Sequence, residues 1–255
     1  MAADRGTKIV AIIPARFASE RFPGKVIAPL ADKPLVVHTY ERTAAATLIT
    51  DAVIATDDAR VIEAVAPYGC NTILTRADHT TGTDRIAEVA ADSDADIIVN
   101  VQADEPLIDP ALIDATIQPL LDDPDLPMAT ARHAIHDPAL IADPNCVKVV
   151  CDARQRALYF SRSAVPFIRD AGHDPLAEAI YWQHIGLYVF RRSFLLEFAA
   201  MTPTPLEQFE KLEQLRALEN GFSIAVVDAH EAAIGVDTPE DLDRARAALE
   251  AKSVR

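Results

Sequence analysis

Arg16, Arg21 and Lys25 stand close together on the segment Ile12-Ile13-Pro14-Ala15-Arg16-Phe17-Ala18-Ser19-Glu20-Arg21-Phe22-Pro23-Gly24-Lys25. Cations so near one another repel unless an anion lies between them. Guanidinium forks match phosphate oxygens, and an ammonium adds a mobile point charge, so a polyphosphate is the anion they suit. The apolar run Lys8 to Ile13 just before reads as a buried strand, and open α/β sheets bind ligands at the carboxyl ends of their strands. A solvated basic turn is the structural alternative. It is the weaker reading in a chain with 24 basic and 39 acidic residues, where a local basic cluster must be held for a purpose.

Carboxylates recur at comparable positions. Asp96–Val101 reads as a strand that runs into Gln102-Ala103-Asp104-Glu105-Pro106. Beside a polyphosphate a carboxylate repels the substrate unless a divalent cation separates them, and Mg2+ takes one or two carboxylates together with phosphate oxygens. Asp104 could instead cap a turn before Pro106. Asp237, in Gly235-Val236-Asp237-Thr238-Pro239-Glu240-Asp241-Leu242, reads on spacing alone as part of a helix cap, with Thr238 or Asp237 as the N-cap. Gln102 could read a base edge, since an amide both donates and accepts. His79, after Thr75-Arg76-Ala77-Asp78, reads as a surface histidine, and Arg162, His184 and Tyr188 add polar groups around further strands.

The elements that must position these residues follow from periodicity. Lys8–Ile13, Ala52–Ala55, Asn71–Leu74 and Asp96–Val101 read as strands, and Pro34–Ala46, Ala59–Tyr68 and Asp84–Ala91 as helices. Such alternation predicts a parallel sheet covered on both faces. Another helix starts at Pro110. Beyond Pro127 the pattern turns β-rich: Met128–His133, Val147–Cys151, Ala157–Phe160 and Gln183–Phe190 read as strands, the second and third forming a hairpin through Asp152–Arg156. After a helix to about Ala200, one helix is predicted from Thr204-Pro205 to Gly221, striped by Leu206, Phe209, Leu212 and Leu215. A strand at Ser223–Val227 and a helix from Thr238-Pro239 complete the chain. The whole reads as a single α/β domain over 1–255 with a smaller β-rich lobe at about 127–190.

At 255 residues and 50% hydrophobic the chain can bury a full core. A net charge of −15 argues against nucleic acid and anionic membranes as partners. Cys70, Cys146 and Cys151 leave one thiol over in any disulfide scheme and fit no zinc spacing, as expected for a cytoplasmic protein. No signal peptide and no membrane-spanning run is visible. With eight glycines and no G-x-G-x-x-G after the first strand, a dehydrogenase-type dinucleotide site is disfavoured.

Taken together, Pro14–Lys25, Thr75–His79, Asn100–Pro106, Ala157–Arg162, Leu212–Arg216 and Gly235–Leu242 closely resemble the 3-deoxy-manno-octulosonate cytidylyltransferase (CMP-Kdo synthetase) family, over nearly the whole chain. The resemblance implies a Rossmann-like nucleotide-diphospho-sugar transferase fold and a homodimer. It implies an enzyme that joins CTP to the sugar acid Kdo (3-deoxy-D-manno-octulosonate) for lipopolysaccharide assembly, with release of pyrophosphate. Arg16, Arg21 and Lys25 would then hold the triphosphate, with Pro14, Ala15, Arg76 and Gln102 near the nucleotide. Asp104 and Asp237 would hold Mg2+, and Arg162, His184, Tyr188, Glu213 and Gln214 would line the sugar-acid pocket, Arg162 facing the carboxylate. Three positions depart from the family pattern: Glu20 and Phe22 replace the usual Thr and Leu, and Ala103 the usual Gly before the metal aspartate. Rival readings are a cytidylyltransferase for 8-amino-Kdo or sialic acid, and a non-catalytic CTP sensor.

Overall fold

Ile9, Val10, Ala11, Ile12 and Ile13 are buried in succession. Neighbouring side chains of a strand point to opposite faces, so an unbroken buried run requires cover on both sides of the sheet. In the computed structural model, which describes residues 6–18, 22–170, 172, 174, 176–232 and 234–253, this run forms β1 (Ile9–Pro14). The chain divides into two compact units, Met1–Asp114 with Ala233–Arg255, and Ala115–Ala232. The expected lobe at 127–190 falls within the second unit, which is wider.

In the first unit β1 is followed by a short antiparallel ribbon, β2 (Pro29–Leu30) and β3 (Lys33–Pro34), then by α1 (Leu35–Ala44) and β4 (Asp51–Thr56). Next come α2 (Ala59–Val65), β5 (Thr72–Leu74), α3 (Gly82–Ala91) and β6 (Ile97–Asn100). The strands β6, β1, β4 and β5 lie side by side in that order, all parallel, with Ala11 between Val99 and Ala52. Parallel neighbours need crossover connections, which the intervening helices supply. Helix α3 starts at Gly82, earlier than the expected Asp84, because Thr81 and Asp84 form a reciprocal capping box.

The boundary falls within α4 (Pro110–Asp122), whose residues from Ala115 onward belong to the second unit. Its elements are β7 (Met128–Ala134), α5 (Pro138–Ala142), β8 (Lys148–Cys151), β9 (Ala157–Ser161), β10 (Trp182–Arg191), α6 (Arg192–Ala200), α7 (Pro205–Glu210), α8 (Leu215–Glu219) and β11 (Ile224–Asp228). β10 pairs antiparallel with β7 and β8, β8 with β9 as the expected hairpin, and β11 runs parallel to β7. The β10–β7 register shifts at a bulge between Ile185 and Tyr188.

The single helix expected from Thr204 to Gly221 is two. Lys211 takes the left-handed conformation, φ 54° and ψ 47°, and its N–H closes α7 on the Glu207 carbonyl. The apolar stripe splits accordingly: Leu212 and Leu215 are buried, whereas Phe209 is 84% exposed. Buried Arg216 fastens the two short helices by donating to both carboxylate oxygens of Glu207, at 2.8 and 2.5 Å, and to the Phe198 carbonyl at 3.1 Å.

The chain re-enters the first unit before α9 (Pro239–Ser253). There the Val236 N–H donates to the Asp104 carbonyl at 2.9 Å, and Val236, Leu242 and Ala245 pack on Leu30 and Leu35. Among the described residues no helix is long and apolar enough to cross a membrane.

Candidate active site

Gly24 sets the direction of the cationic loop. Its φ of 73° is one that side-chain-bearing residues rarely adopt, and a Cβ there would lie 3.3 Å from the Phe17 ring. The turn it opens carries Lys25, whose Nζ donates to Asp104 Oδ2 at 2.6 Å, Asp237 Oδ1 at 2.9 Å and the Val236 carbonyl at 3.0 Å. Burial pulls the Lys25 pKa down, but the two carboxylates outweigh it and the net shift is upward. The ammonium therefore stays charged at neutral pH.

Asp237 is not the helix cap that spacing suggests. Thr238 takes that part: its hydroxyl accepts from the Asp241 N–H at 3.3 Å, while Asp241 accepts from the Thr238 N–H at 2.9 Å. The carboxylate of Asp237 is turned instead towards Lys25 and Asp104. Nor does Asp104 serve as a turn cap; it is the ion-pair partner of Lys25.

Glu105 belongs to the same group and carries no role in the sequence reading. Its Oε2 is buried without a partner, and its Oε1 lies 3.1 Å from the place a Cβ on Gly235 would occupy. Burial first, then the charges of Asp104 and Asp237, raise its pKa to about 8, with Lys25 opposing. Adjacent carboxyl groups thus meet different surroundings: Asp104 pairs with a cation, while burial and neighbouring charge favour the protonated form of Glu105.

Arg16 is aimed by His79, whose carbonyl accepts from Nη2 at 2.8 Å. His79 is not a surface residue: its side chain is 5% exposed and its Nε2 meets the Glu88 carboxylate. The Arg76 backbone N–H also points at Glu88, so α3 grips this turn from below. A cavity of about 290 Å³ opens here, lined by Pro14, Arg16, Lys25, Gln102, Ala103 and Asp104, with Thr80 to Gly82 at the N-terminus of α3. That end of a helix favours anions. Gln102 is steadied by Asn100 Oδ1 at 3.1 Å, and Ala15 is buried with its N–H on the Ala55 carbonyl. The Arg76 side chain is exposed beside Asp78 and Glu88 and does not line this cavity. Ala103 is not among the residues of positive φ, so its methyl is accommodated without backbone strain. Arg21 and Glu20 lie outside the described residues.

The second unit gathers the remaining candidates. Arg162 donates from Nε to the Glu210 carbonyl at 2.6 Å, from Nη1 to Pro144 at 2.9 Å and from Nη2 to Lys211 at 3.3 Å. Fully buried Lys148 supports the turn, donating to the carbonyls of Asp143, Cys146 and Arg162 at 2.9, 2.6 and 2.8 Å. The ring of His184 sits edge-on to Phe160 and beside Tyr188, and burial lowers its pKa to about 3. Tyr188 Oη donates to Gln214 Oε1 at 3.1 Å, and burial, then Glu213, push its phenol far above the usual range. This leaves Gln214 Nε2 a buried donor without an acceptor. Glu213 lies 3.6 Å from Arg216. Polar atoms left over in this way are what a polyhydroxyl ligand satisfies.

Among the described residues no set of three or more His, Cys, Asp or Glu is arranged to hold a metal. The pair Asp104 and Asp237 nevertheless suits Mg2+, which needs only one or two carboxylates when phosphate oxygens complete its shell. Both converge on one cation already, and the orphaned oxygen of Glu105 lies in the same group.

A family profile described as cytidylyltransferase matches residues 10–226. The chain is 54% identical over 237 residues to a 3-deoxy-manno-octulosonate cytidylyltransferase of Solibacter usitatus (strain Ellin6076), covering 93% of this chain and 92% of that protein. It is 57% identical over 244 residues to the one from Pelobacter propionicus (strain DSM 2379 / NBRC 103807 / OttBd1), covering 93% and 96%. Among solved structures, a CMP:2-keto-3-deoxy-manno-octonic acid synthetase complexed with CTP is 42% identical with a TM-score of 0.90, covering 96% of this chain and all of that one. A 4-diphosphocytidyl-2C-methyl-D-erythritol synthase from Anaerococcus prevotii DSM 20548 shares the fold, with a TM-score of 0.62 at 14% identity and coverage of 96% and 99%. By these matches the chain belongs to the cytidylyltransferase family, in the branch of the 3-deoxy-manno-octulosonate cytidylyltransferases.

Proposed function

We propose that this chain transfers CMP from CTP to Kdo, releasing pyrophosphate, and so supplies CMP-Kdo for lipopolysaccharide assembly. The observation that carries the reading is the meeting of Lys25, Asp104 and Asp237 at the carboxyl ends of parallel strands, beside the cavity that Arg16 lines. In the reaction the anomeric hydroxyl of the sugar acid attacks the α-phosphorus in line, and pyrophosphate leaves on the opposite side. No protein nucleophile is required. Arg16 and Lys25 bind the triphosphate and offset the charge that builds on the leaving group. Gln102 presents an amide to the nucleotide, and Arg162, His184, Tyr188 and Gln214 orient the sugar acid. Mg2+, held by Asp104 and Asp237, would neutralise phosphate charge and favour ionisation of the attacking hydroxyl.

The homodimer and the cytoplasmic location belong to the same proposal. Free Cys70, Cys146 and Cys151 suit a reducing compartment, and sedimentation velocity would read the assembly. The activity test is pyrophosphate release from CTP with Kdo, with sialic acid and with no acceptor, each in Mg2+ and in EDTA. Release that needs both Kdo and Mg2+ is expected; none with any acceptor from protein that still binds CTP would leave the sensor reading.

A further inference from the structure

Thr130, buried on β7, has one hydroxyl proton and more neighbours than that proton can serve. Its Oγ1 lies 2.8 Å from the Leu187 carbonyl, 3.2 Å from that of Ile185 and 2.9 Å from His184 Nε2. Two oxygens 2.8 Å apart repel unless a proton lies between them, so the hydroxyl proton points at the carbonyls, Leu187 foremost. The bulge between Ile185 and Tyr188 is what brings both carbonyls to one hydroxyl. Only lone pairs of Oγ1 are then left for His184, and Nε2 must carry the hydrogen of that bond.

A neutral imidazole has a single N–H. With the hydrogen on Nε2, Nδ1 is an acceptor only. Nδ1 makes no hydrogen bond among the described residues, and it is not one of the buried atoms closed off without a partner. Phe160 and Tyr188, with ring centroids 4.9 and 5.4 Å away, keep the ring from turning over.

We propose that Thr130 is a positioning residue that holds His184 in its Nε2–H form, so that Nδ1 accepts a hydrogen bond from a hydroxyl of the acceptor sugar acid. The proposal rests on the placing of His184 in the sugar-acid site. An acceptor at that point favours groups with a proton to give and disfavours a deoxy or etherified position.

The test is two-bond 1H–15N correlation of the full-length, histidine-labelled protein, with and without Kdo, beside steady-state kinetics. Wild type should show His184 with hydrogen on Nε2 and a bare Nδ1 whose resonance moves when Kdo is added. Thr130→Val should lose the single tautomer and raise the KM for Kdo about ten-fold, the KM for CTP being unchanged, while Thr130→Ser keeps both. Hydrogen on Nδ1 in wild type overturns the proposal, as does Thr130→Val with an unchanged tautomer and KM. An Nε2–H form whose Nδ1 ignores Kdo overturns the hydroxyl contact and, separately, the placing of His184 in the sugar site. Should Thr130→Val fail to fold, the wild-type spectrum and Thr130→Ser still decide.

Discussion

Glu210 holds Arg162 twice: its carboxylate accepts the Arg162 backbone N–H at 2.9 Å, and its own carbonyl accepts Nε at 2.6 Å. The same carboxylate takes the Ser161 hydroxyl at 2.7 Å. With Nη1 and Nη2 each on a further carbonyl, the guanidinium is fixed in place before any ligand arrives. Arginine carries five N–H groups, so those beyond the three carbonyl bonds are available to the sugar-acid carboxylate of the proposed reaction.

Removing the carboxylate half of that grip, which leaves the Glu210 main-chain carbonyl on Nε, should weaken sugar-acid binding alone. Glu210→Ala is expected to raise the KM for Kdo about ten-fold or more, since a charge-assisted bond contributes about 1.5–3 kcal/mol. The KM for CTP should stay as it was. Equal changes in both constants would show that Glu210 supports the unit as a whole.

Lys25 lies between two carboxylates and, in the proposed reaction, binds phosphate. Lys25→Met should cost about 100-fold or more in kcat/KM for CTP, the scale of losing one stabilising charge at a phosphoryl-transfer site. The freed Asp104 and Asp237 should make the melting temperature respond more strongly to Mg2+ than in wild type. Asp104→Asn should abolish both that response and turnover. Differential scanning fluorimetry over an Mg2+ series, read beside pyrophosphate release, checks both variants.

The Glu105 carboxyl makes stability depend on pH. Its folded pKa of about 8 lies above the ordinary 4.5, so between those values the folded chain holds a proton that the unfolded chain lacks. Its contribution is fully present below pH 4.5 and is lost as pH rises through 8, by at most about 1.4 kcal/mol per pH unit. Urea midpoints in EDTA from pH 5 to 9 should fall less steeply for Glu105→Gln than for wild type. Identical slopes would mean that Glu105 ionises as an ordinary carboxylate.

The Arg216–Glu207 pair should be costly to break and cheap to replace. Glu207→Gln strands a buried guanidinium and is expected to destabilise by about 3–5 kcal/mol. Glu207→Leu with Arg216→Met should recover most of that in urea unfolding. Because Arg216 also neighbours Glu213, the double variant should keep its fold yet bind Kdo less tightly.

The first unit was legible where pattern and chemistry coincide. Alternating apolar strands and helices announced the parallel sheet, and Arg16, Lys25 and Asp104, expected together from their types and places, line one cavity in that unit. Spacing could not choose between Thr238 and Asp237 as the cap, because an N-terminal cap and a carboxylate turned to a distant lysine look alike in one dimension. Thr238 fills the cap, and Lys25 lies 212 residues away. His79 looked solitary because its partner Glu88 lies nine residues on, within α3, rather than beside it in the chain. The split at Lys211 was hidden for a different reason: lysine seldom adopts the left-handed conformation, and no glycine marks the break. Glu105 gave no signal of its proton, which depends on enclosure and on a carboxylate arriving from the far end of the chain.

That separation bears on how the protein comes into being. The second unit is continuous in the chain, while the first is completed only by Ala233–Arg255. During synthesis the β6, β1, β4 and β5 strands are available early, and the second unit can fold as it emerges. The Lys25 cluster has to wait, because Val236 and Asp237 follow the second unit in the chain. Closing so long a loop is slow. A nascent chain made only through the second unit therefore lacks Val236 and Asp237, two of the three partners of Lys25.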